Sequence, residues 1–223
     1  MYWEGSFNIN MEQISLQIVP NGCVEIIIHL SDLHCNLHDD TNGWSQTPDY
    51  LVLGLFTHAF EVKFSTTVDV FAIRFKPEGI YNLFGLPSSI FLDSYEDMSM
   101  VLGKDFNDFC NSLRETNTVG QMVGQTERYL FKTLAEQRND LNYVNHAAEL
   151  IRNVQGIRIK KIADELSISQ RQLEREFKAK IGISPKRYLR ITRINEVIRL
   201  LHENHHLSLT RVAYHCGFCL LYT

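Results

Sequence analysis

With 223 residues, 44% hydrophobic and 22% charged, the chain is long enough for two modest cores and has the composition of a soluble globular protein. Its most apolar run, Cys23 to Leu30, is interrupted by Glu25 and His29, and no basic-then-apolar leader opens the chain, so neither a membrane span nor a secretory signal is expected. Five cysteines without a regular spacing frame point to the reducing cytoplasm rather than to a disulfide scaffold.

The formal net charge of −4 argues against nucleic acid until the chain is divided. Residues 151–211 hold 14 Lys/Arg against 6 Asp/Glu, a balance of +8, while the remainder holds 8 against 20, a balance of −12. That asymmetry fits a basic nucleic-acid module attached to an acidic partner domain. A solvated basic helical surface has the same charge, so charge alone leaves both readings open.

Residues 1–115 read as strands punctuated by turns. Phe7-Asn8-Ile9 and Ile14 to Ile18 alternate apolar and polar positions, the period-2 pattern of half-buried strands. Pro20-Asn21-Gly22 signals a turn before Cys23 to Ile28, a β-branched run suited to a buried strand. Asp39 to Pro48 is polar and turn-rich and is expected to be an exposed loop. Further strands are expected over Tyr50–Phe56, Glu61–Phe64 and Val68–Phe75. The period then changes. Ile80, Leu83 and Phe84 have helical spacing that Gly85-Leu86-Pro87 ends. Helices are also expected over Lys104–Leu113 and Met122–Gln137, the latter with Val123, Leu130 and Leu134 on one face. Arg138 to Asn142 is polar and aperiodic, which divides the chain into a β-rich domain over 1–137, a linker over 138–142 and a helical domain over 143–223.

In the helical domain, Ile159, Ile162, Ala163 and Leu166 form one buried helical stripe, and Ser167-Ile168 makes a turn. Ser169 stands as an N-cap, with Gln172 placed to complete a capping box. The second helix buries Leu173 and Phe177 and projects Gln170, Arg171, Glu174 and Arg175 from its other face. Gly182 suits a C-terminal cap, and Ser184-Pro185 opens a long helix with Tyr188, Ile191, Ile194, Val197, Ile198 and Leu201 on an apolar stripe. Two short helices joined by a tight turn suit insertion of the second into a DNA major groove. Arginine there reaches guanine O6 and N7, and Gln or Glu reaches adenine or cytosine edges. Ser169, Lys178, Lys186 and Arg187 are placed for phosphates, which set register without reading sequence.

Fifty residues on, the pattern begins again: Leu209, Val212, Ala213, Cys216 and Phe218 repeat Ile159, Ile162, Ala163, Leu166 and Ile168 in kind. The counterpart of Ser169 is Cys219, with only Leu220 to Thr223 after it. A second recognition helix is therefore not expected, and Val212, Cys216 and Phe218 are expected to form an exposed apolar patch. Losing half the phosphate contacts implies weak or non-specific binding, which a homodimer through the N-terminal domain would partly restore.

The series Ile162-Ala163, Ser169-x-Arg171-x-Leu173-x-Arg175-x-Phe177-Lys178 and Gly182-x-Ser184-Pro185-x-x-Tyr188, with Arg193 and Ala213 to Phe218 beyond it, resembles the AraC/XylS family of bacterial transcription regulators. The resemblance implies an activator-type, DNA-binding helix-turn-helix protein whose base-reading positions include Arg171, Glu174 and Arg175. In the N-terminal half, Pro20-x-Gly22-Cys23-x-Glu25-Ile26-Ile27, Arg74-Phe75-x-Pro77-x-Gly79, Leu83-x-Gly85-x-Pro87 and Leu102-Gly103 resemble a β-rich domain that precedes some regulators of this family. That implies an α+β chain: a cupin-like barrel with flanking helices, able to take a small-molecule effector, followed by an all-α DNA-binding domain.

Rival chemistry has thinner support. Cys216-x-x-Cys219 beside His205, His206 and His215 has zinc-like thiol spacing, but Cys216 occupies a core position of the repeat, so no metal is expected. His29, His34 and His38 lack the His-x-His and following Glu of metal cupins and are expected at turns or on the surface. No Ser/His/Asp or phosphate-loop pattern is present, so neither an enzyme nor a cofactor is expected. The alternative that stays open is a ligand-binding or dimerising protein that does not bind DNA specifically.

Overall fold

The computed structural model describes residues 2–7, 14–39, 43–64, 68–137, 143–154, 156–203 and 206–218. The chain forms two compact units, Met1–Arg138 and Asn139–Thr223. The expected linker over 138–142 and the segment 219–223 lie outside the described residues, as does the Asn8-Ile9 part of the first expected strand.

The first unit carries strands β1 (Tyr2–Phe7), β2 (Ile14–Ile18), β3 (Val24–His29), β4 (Asn36–Asp39), β5 (Gly43–Gln46), β6 (Tyr50–Leu53), β7 (Phe60–Phe64), β8 (Val68–Phe75) and β9 (Tyr95–Asp97). They make two antiparallel sheets, ordered β1-β8-β3-β6-β9 and β2-β7-β4-β5. The sheets face each other as a sandwich, and among the described residues they do not close into the ring of a barrel.

Period-2 geometry explains why β3 is largely apolar at successive positions: it is covered on both faces. Val24, Ile26 and Ile28 are at most 1% exposed and share a face with their partners Tyr50, Val52, Phe71, Ile73 and Phe75. Helices cover that side, with Tyr50 edge-on to Phe106 and Phe75 edge-on to Phe84. The opposite face presents Glu25, Ile27, Leu51, Leu53, Val70 and Arg74 toward Ile18, Leu37, Phe60 and Val62 of the second sheet. Gly54 ends β6 where backbones nearly touch; a Cβ there would lie 1.5 Å from the Phe91 carbonyl oxygen, so no other residue fits.

Three expectations for this unit need correction. The polar stretch 39–48 is not a plain loop: its Gly43–Gln46 form β5, which pairs with β4 just before it, and Lys63 Nζ sits 3.8 Å above the Trp44 ring. His29 is fully buried rather than at the surface, with Nδ1 3.2 Å from the Asp49 carbonyl and Nε2 3.4 Å from Thr47 Oγ1. Burial holds its pKa below the ordinary histidine value. His34 is also largely covered, its Nε2 2.6 Å from Asp49 Oδ1, while His38 is exposed as expected.

The helices of this unit are α1 (Pro77–Phe84), α2 (Met98–Leu102), α3 (Lys104–Arg114) and α4 (Val119–Glu136), with a 3₁₀ turn over Ser88–Phe91. Gly85 ends α1 in the left-handed region at φ 68°, as the Gly-x-Pro signal predicts. In α4 the buried positions are Met122 and Thr126, and Tyr129 stacks on Phe109 at 4.2 Å. Leu134 of the expected apolar face is 47% exposed, and Phe131 is 69% exposed.

The second unit is all helical: α5 (Tyr143–Asn153), α6 (Ile159–Glu165), α7 (Gln170–Ile181), α8 (Pro185–Glu203) and α9 (Leu209–His215). Its core joins Val144, Ala147, Ala148 and Ile151 of α5 to Leu173, Phe177 and Ile181 of α7 and to Tyr188, Leu189 and Ile191 of α8. Arg152 donates to the Tyr188 hydroxyl at 3.0 Å, tying α5 to α8. The stripe predicted for α8 is buried only in its first half; Ile194 is 40% exposed.

Candidate nucleic-acid interface

The helix-turn-helix begins with a backbone that only a few residues tolerate. Leu166 N–H bonds the Ile162 carbonyl at 3.0 Å, Ser167 N–H bonds Asp164 at 3.1 Å and Ile168 N–H bonds Ala163 at 3.0 Å. Ser167 takes φ 55°, and this left-handed step turns the chain out of α6. Ser169 then caps α7, its hydroxyl accepting from Gln172 N–H at 3.1 Å. Gly182 closes the helix at φ 91°, donating to the Lys178 carbonyl. Ser184 caps α8 by accepting from Arg187 N–H at 3.2 Å, with Pro185 at the first helical position.

Burial divides α7 sharply. Leu173, Phe177 and Ile181 are 0% exposed, each fixed by roughly 1.5–3 kcal/mol of apolar burial. Phe177 lies against Tyr188 with ring centroids 5.8 Å apart. Gln170, Arg171, Glu174, Arg175 and Lys178 are all exposed, and their i, i+4, i+8 spacing puts them on one solvent face. Ser169 is exposed at the N-terminal end, and Lys186 and Arg187 are exposed in the first turn of α8. The structure therefore leaves every residue expected to meet DNA open to solvent, on one helix and the start of the next.

Some of the basic charge is already engaged. Arg175 is paired with its neighbour Glu176, Nη2 to Oε1 at 2.9 Å. Arg199 bridges Glu196, at 2.6 Å, and Glu203, and its hydrogen bonds hold the Glu196 carboxyl below its usual pKa. Arg199 thus contributes to the arithmetic balance of the unit more than to the field in front of α7.

The second repeat is better built than its sequence promises. Val212 and Cys216 are 1% and 4% exposed and Phe218 is half-buried, so the expected exposed patch does not form. From α8, Arg193 Nη1 donates to the Gly217 carbonyl at 3.2 Å and its guanidinium lies beside Gly217, which ties the turn after α9 to α8. The apolar groups α9 does expose are Leu209 and Tyr214, at 70% and 79%. Cys216 is a core side chain; Cys219 and His205, which zinc would also need, lie outside the described residues. Among the described residues, no helix is long and apolar enough to cross a membrane.

A basic unit with one capped, polar-faced helix after a tight turn, following a β-sandwich unit in the chain, defines a helix-turn-helix DNA-binding protein with an N-terminal domain. Residues 162–220 match the family model described as a helix-turn-helix domain, and residues 1–97 match a domain of unknown function (DUF6597). The HTH-type transcriptional activator RhaS of Escherichia coli is 42% identical over 57 residues, which is 26% of this chain and 20% of RhaS. RhaS of Salmonella arizonae is 40% identical over the same length. The chain thus spans a fifth of the curated relatives it matches. Two structures of ToxT from Vibrio cholerae, one apo and one bound to (E)-4-(8-methylnaphthalen-1-yl)but-3-enoic acid, each give a TM-score of 0.50. They are 11% and 13% identical, cover 98% of this chain, and are covered over 89% and 90% of their own length. The helical unit is thus similar to the helix-turn-helix domain of AraC/XylS-type transcription regulators such as RhaS.

Proposed function

We propose that this protein regulates transcription in the cytoplasm by sequence-specific binding of double-stranded DNA, in the manner of an activator, with α7 in the major groove. The observation that carries the reading is the division of α7 into a fully buried face and a fully exposed polar one within a unit of strongly positive charge. Gln170, Arg171, Glu174 and Arg175 address base edges, and Ser169, Lys178, Lys186 and Arg187 hold phosphates. The exposed N-terminal end of α7 favours a phosphate through its dipole and free amides. Arg175 exchanges its Glu176 partner for a base, which makes it the adjustable member of the set.

The β-rich unit is proposed to receive a small-molecule effector and to support a homodimer. The aromatic acid held by ToxT, whose fold this chain shares, supports an effector reading. Dimerisation is proposed to raise DNA affinity through effective concentration.

The test is an anisotropy titration of the purified chain on DNA from upstream of its own gene against scrambled DNA. Arg171→Ala with Arg175→Ala is expected to remove the preference, at about 1–3 kcal/mol for each lost bidentate contact. Lys178→Ala is expected to weaken both DNAs alike and to reduce the salt slope by about 0.9. Unchanged selectivity in the double variant refutes the base-reading set. Failure to retain either DNA leaves the ligand-binding or dimerising protein as the surviving reading.

A further inference from the structure

The two sheets of the first unit do not pack flat against each other. Between them lies a cavity of about 230 Å³, bounded by Leu16, Ile18, Leu53, Phe60 and Val62 among other apolar side chains. Protein interiors seldom leave gaps larger than a water molecule, and a dry apolar cavity of about 150 Å³ is enough to hold benzene. Leu16 and Val19 line it while remaining 38% and 48% exposed, so its rim is apolar and reaches solvent.

One charged pair interrupts the apolar wall. Glu25 and Arg74 are cross-strand partners on β3 and β8, and both line the cavity. Arg74 Nε donates to Glu25 Oε1 at 2.7 Å, and Asn21 Nδ2 donates to the same oxygen at 2.8 Å. Glu25 is only 6% exposed, yet both bonds that the described residues make to its carboxylate end on Oε1. A carboxylate has about four acceptor positions, so Oε2 keeps capacity for a donor that the described residues do not supply. The pair is neutral as a whole. A guest anion would be brought beside Glu25 in a water-poor wall whose arginine is already engaged with that carboxylate.

We infer that this cavity is a binding site for a small, uncharged, largely apolar molecule of about ten non-hydrogen atoms that carries one hydroxyl or amide donor, with Glu25 as its acceptor. An alcohol or phenol fits this description; a fatty acid of the same length does not. The inference rests on the reading of the N-terminal unit as an effector domain and gives that effector a chemical class.

The test is calorimetric titration of the full chain, without DNA, using 1-octanol and octanoate as probes. Saturable one-to-one binding of 1-octanol is expected, with octanoate at least tenfold weaker. Val62→Phe fills the cavity from the second sheet and is expected to abolish the 1-octanol heat. Leu16→Trp narrows the exposed rim, disturbs no core position and is expected to weaken binding at least tenfold. No saturable 1-octanol binding, octanoate binding as tightly as 1-octanol, or undiminished binding in Leu16→Trp each overturns the inference. The DNA titration above is independent of these heats: DNA selectivity with no 1-octanol binding refutes the cavity assignment alone, and 1-octanol binding without DNA retention refutes the regulator reading alone.

Discussion

The turns after α6 and after α9 are the same backbone solution written in different residues. In the first, the N–H groups of Leu166, Ser167 and Ile168 bond the carbonyls of Ile162, Asp164 and Ala163; in the second, those of Cys216, Gly217 and Phe218 bond Val212, Tyr214 and Ala213. The left-handed position is Ser167 at φ 55° in one and Gly217 at φ 74° in the other. What differs is the support. The first turn leads into a capped helix that buries Leu173 and Phe177, whereas the second is held from α8 by Arg193. The same hydrogen-bond pattern is thus reached with different neighbours behind it.

The comparison breaks first at the core. Ile162 and Val212 occupy equivalent positions and are 0% and 1% exposed. Ile162→Ala is expected to cost about 2–5 kcal/mol, because the surrounding packing relaxes only partly around the lost methyl groups. Val212→Ala removes fewer atoms and is expected to cost about 2 kcal/mol. Native-state hydrogen exchange reads the two locally: Ile162→Ala should release the Ile168 amide and Val212→Ala the Phe218 amide. Release of both amides by Val212→Ala would mean that the turns share one cooperative unit and that the second is no independent scaffold.

A smaller effect sharpens the equivalence. Gly217→Ser places the first turn's residue in the second, where φ 74° crowds any Cβ against the backbone. The nearest Arg193 atoms would lie 3.4 Å from that Cβ, an ordinary contact, so the cost is conformational. About 1–2 kcal/mol is expected, seen as faster exchange of the Phe218 amide while Ile168 is unaffected. A loss above about 4 kcal/mol would show that Arg193 cannot accommodate even a methylene.

Much of the helical unit was legible because its signals are local. Ser169, Gly182 and Ser184-Pro185 mark helix ends by their own chemistry, and the 3.6-residue period marks the buried face of α7. The tie between α8 and the turn after α9 was not legible, since Arg193 reaches a carbonyl 24 positions away. The β-rich unit was read less completely for the same reason. Strand periodicity located β3 and β8, but the pairing of Glu25 with Arg74 spans 49 positions, and neither residue alone discloses a partner. His29 misled because a histidine at the end of a strand is as compatible with a turn as with a core; the Asp49 carbonyl, Thr47 and the Cys35 thiol, brought in by other segments, meet its ring. The β4–β5 hairpin was hidden by the polarity of residues 39–48, which include all of β5.

The smallest predicted effect tests the first turn from the opposite side. Ser167 holds φ 55° without the freedom of glycine, and its side chain makes no hydrogen bond among the described residues. A non-glycine residue pays roughly 1–2 kcal/mol in the left-handed region. Ser167→Gly removes that strain but also loosens the unfolded chain, which offsets roughly 0.5–1 kcal/mol of the gain. The expected net result is a stabilisation of about 0.5 kcal/mol, visible as slower exchange of the Ile168 amide and a slightly higher melting temperature. DNA selectivity should be unchanged, because Ser167 is not among the base-reading residues and Ser169 still caps α7. If Ser167→Gly instead destabilised the turn by about 1 kcal/mol or more, the serine would be supplying an interaction beyond its backbone angle, and the two turns would be alike in hydrogen bonding but not in energetics.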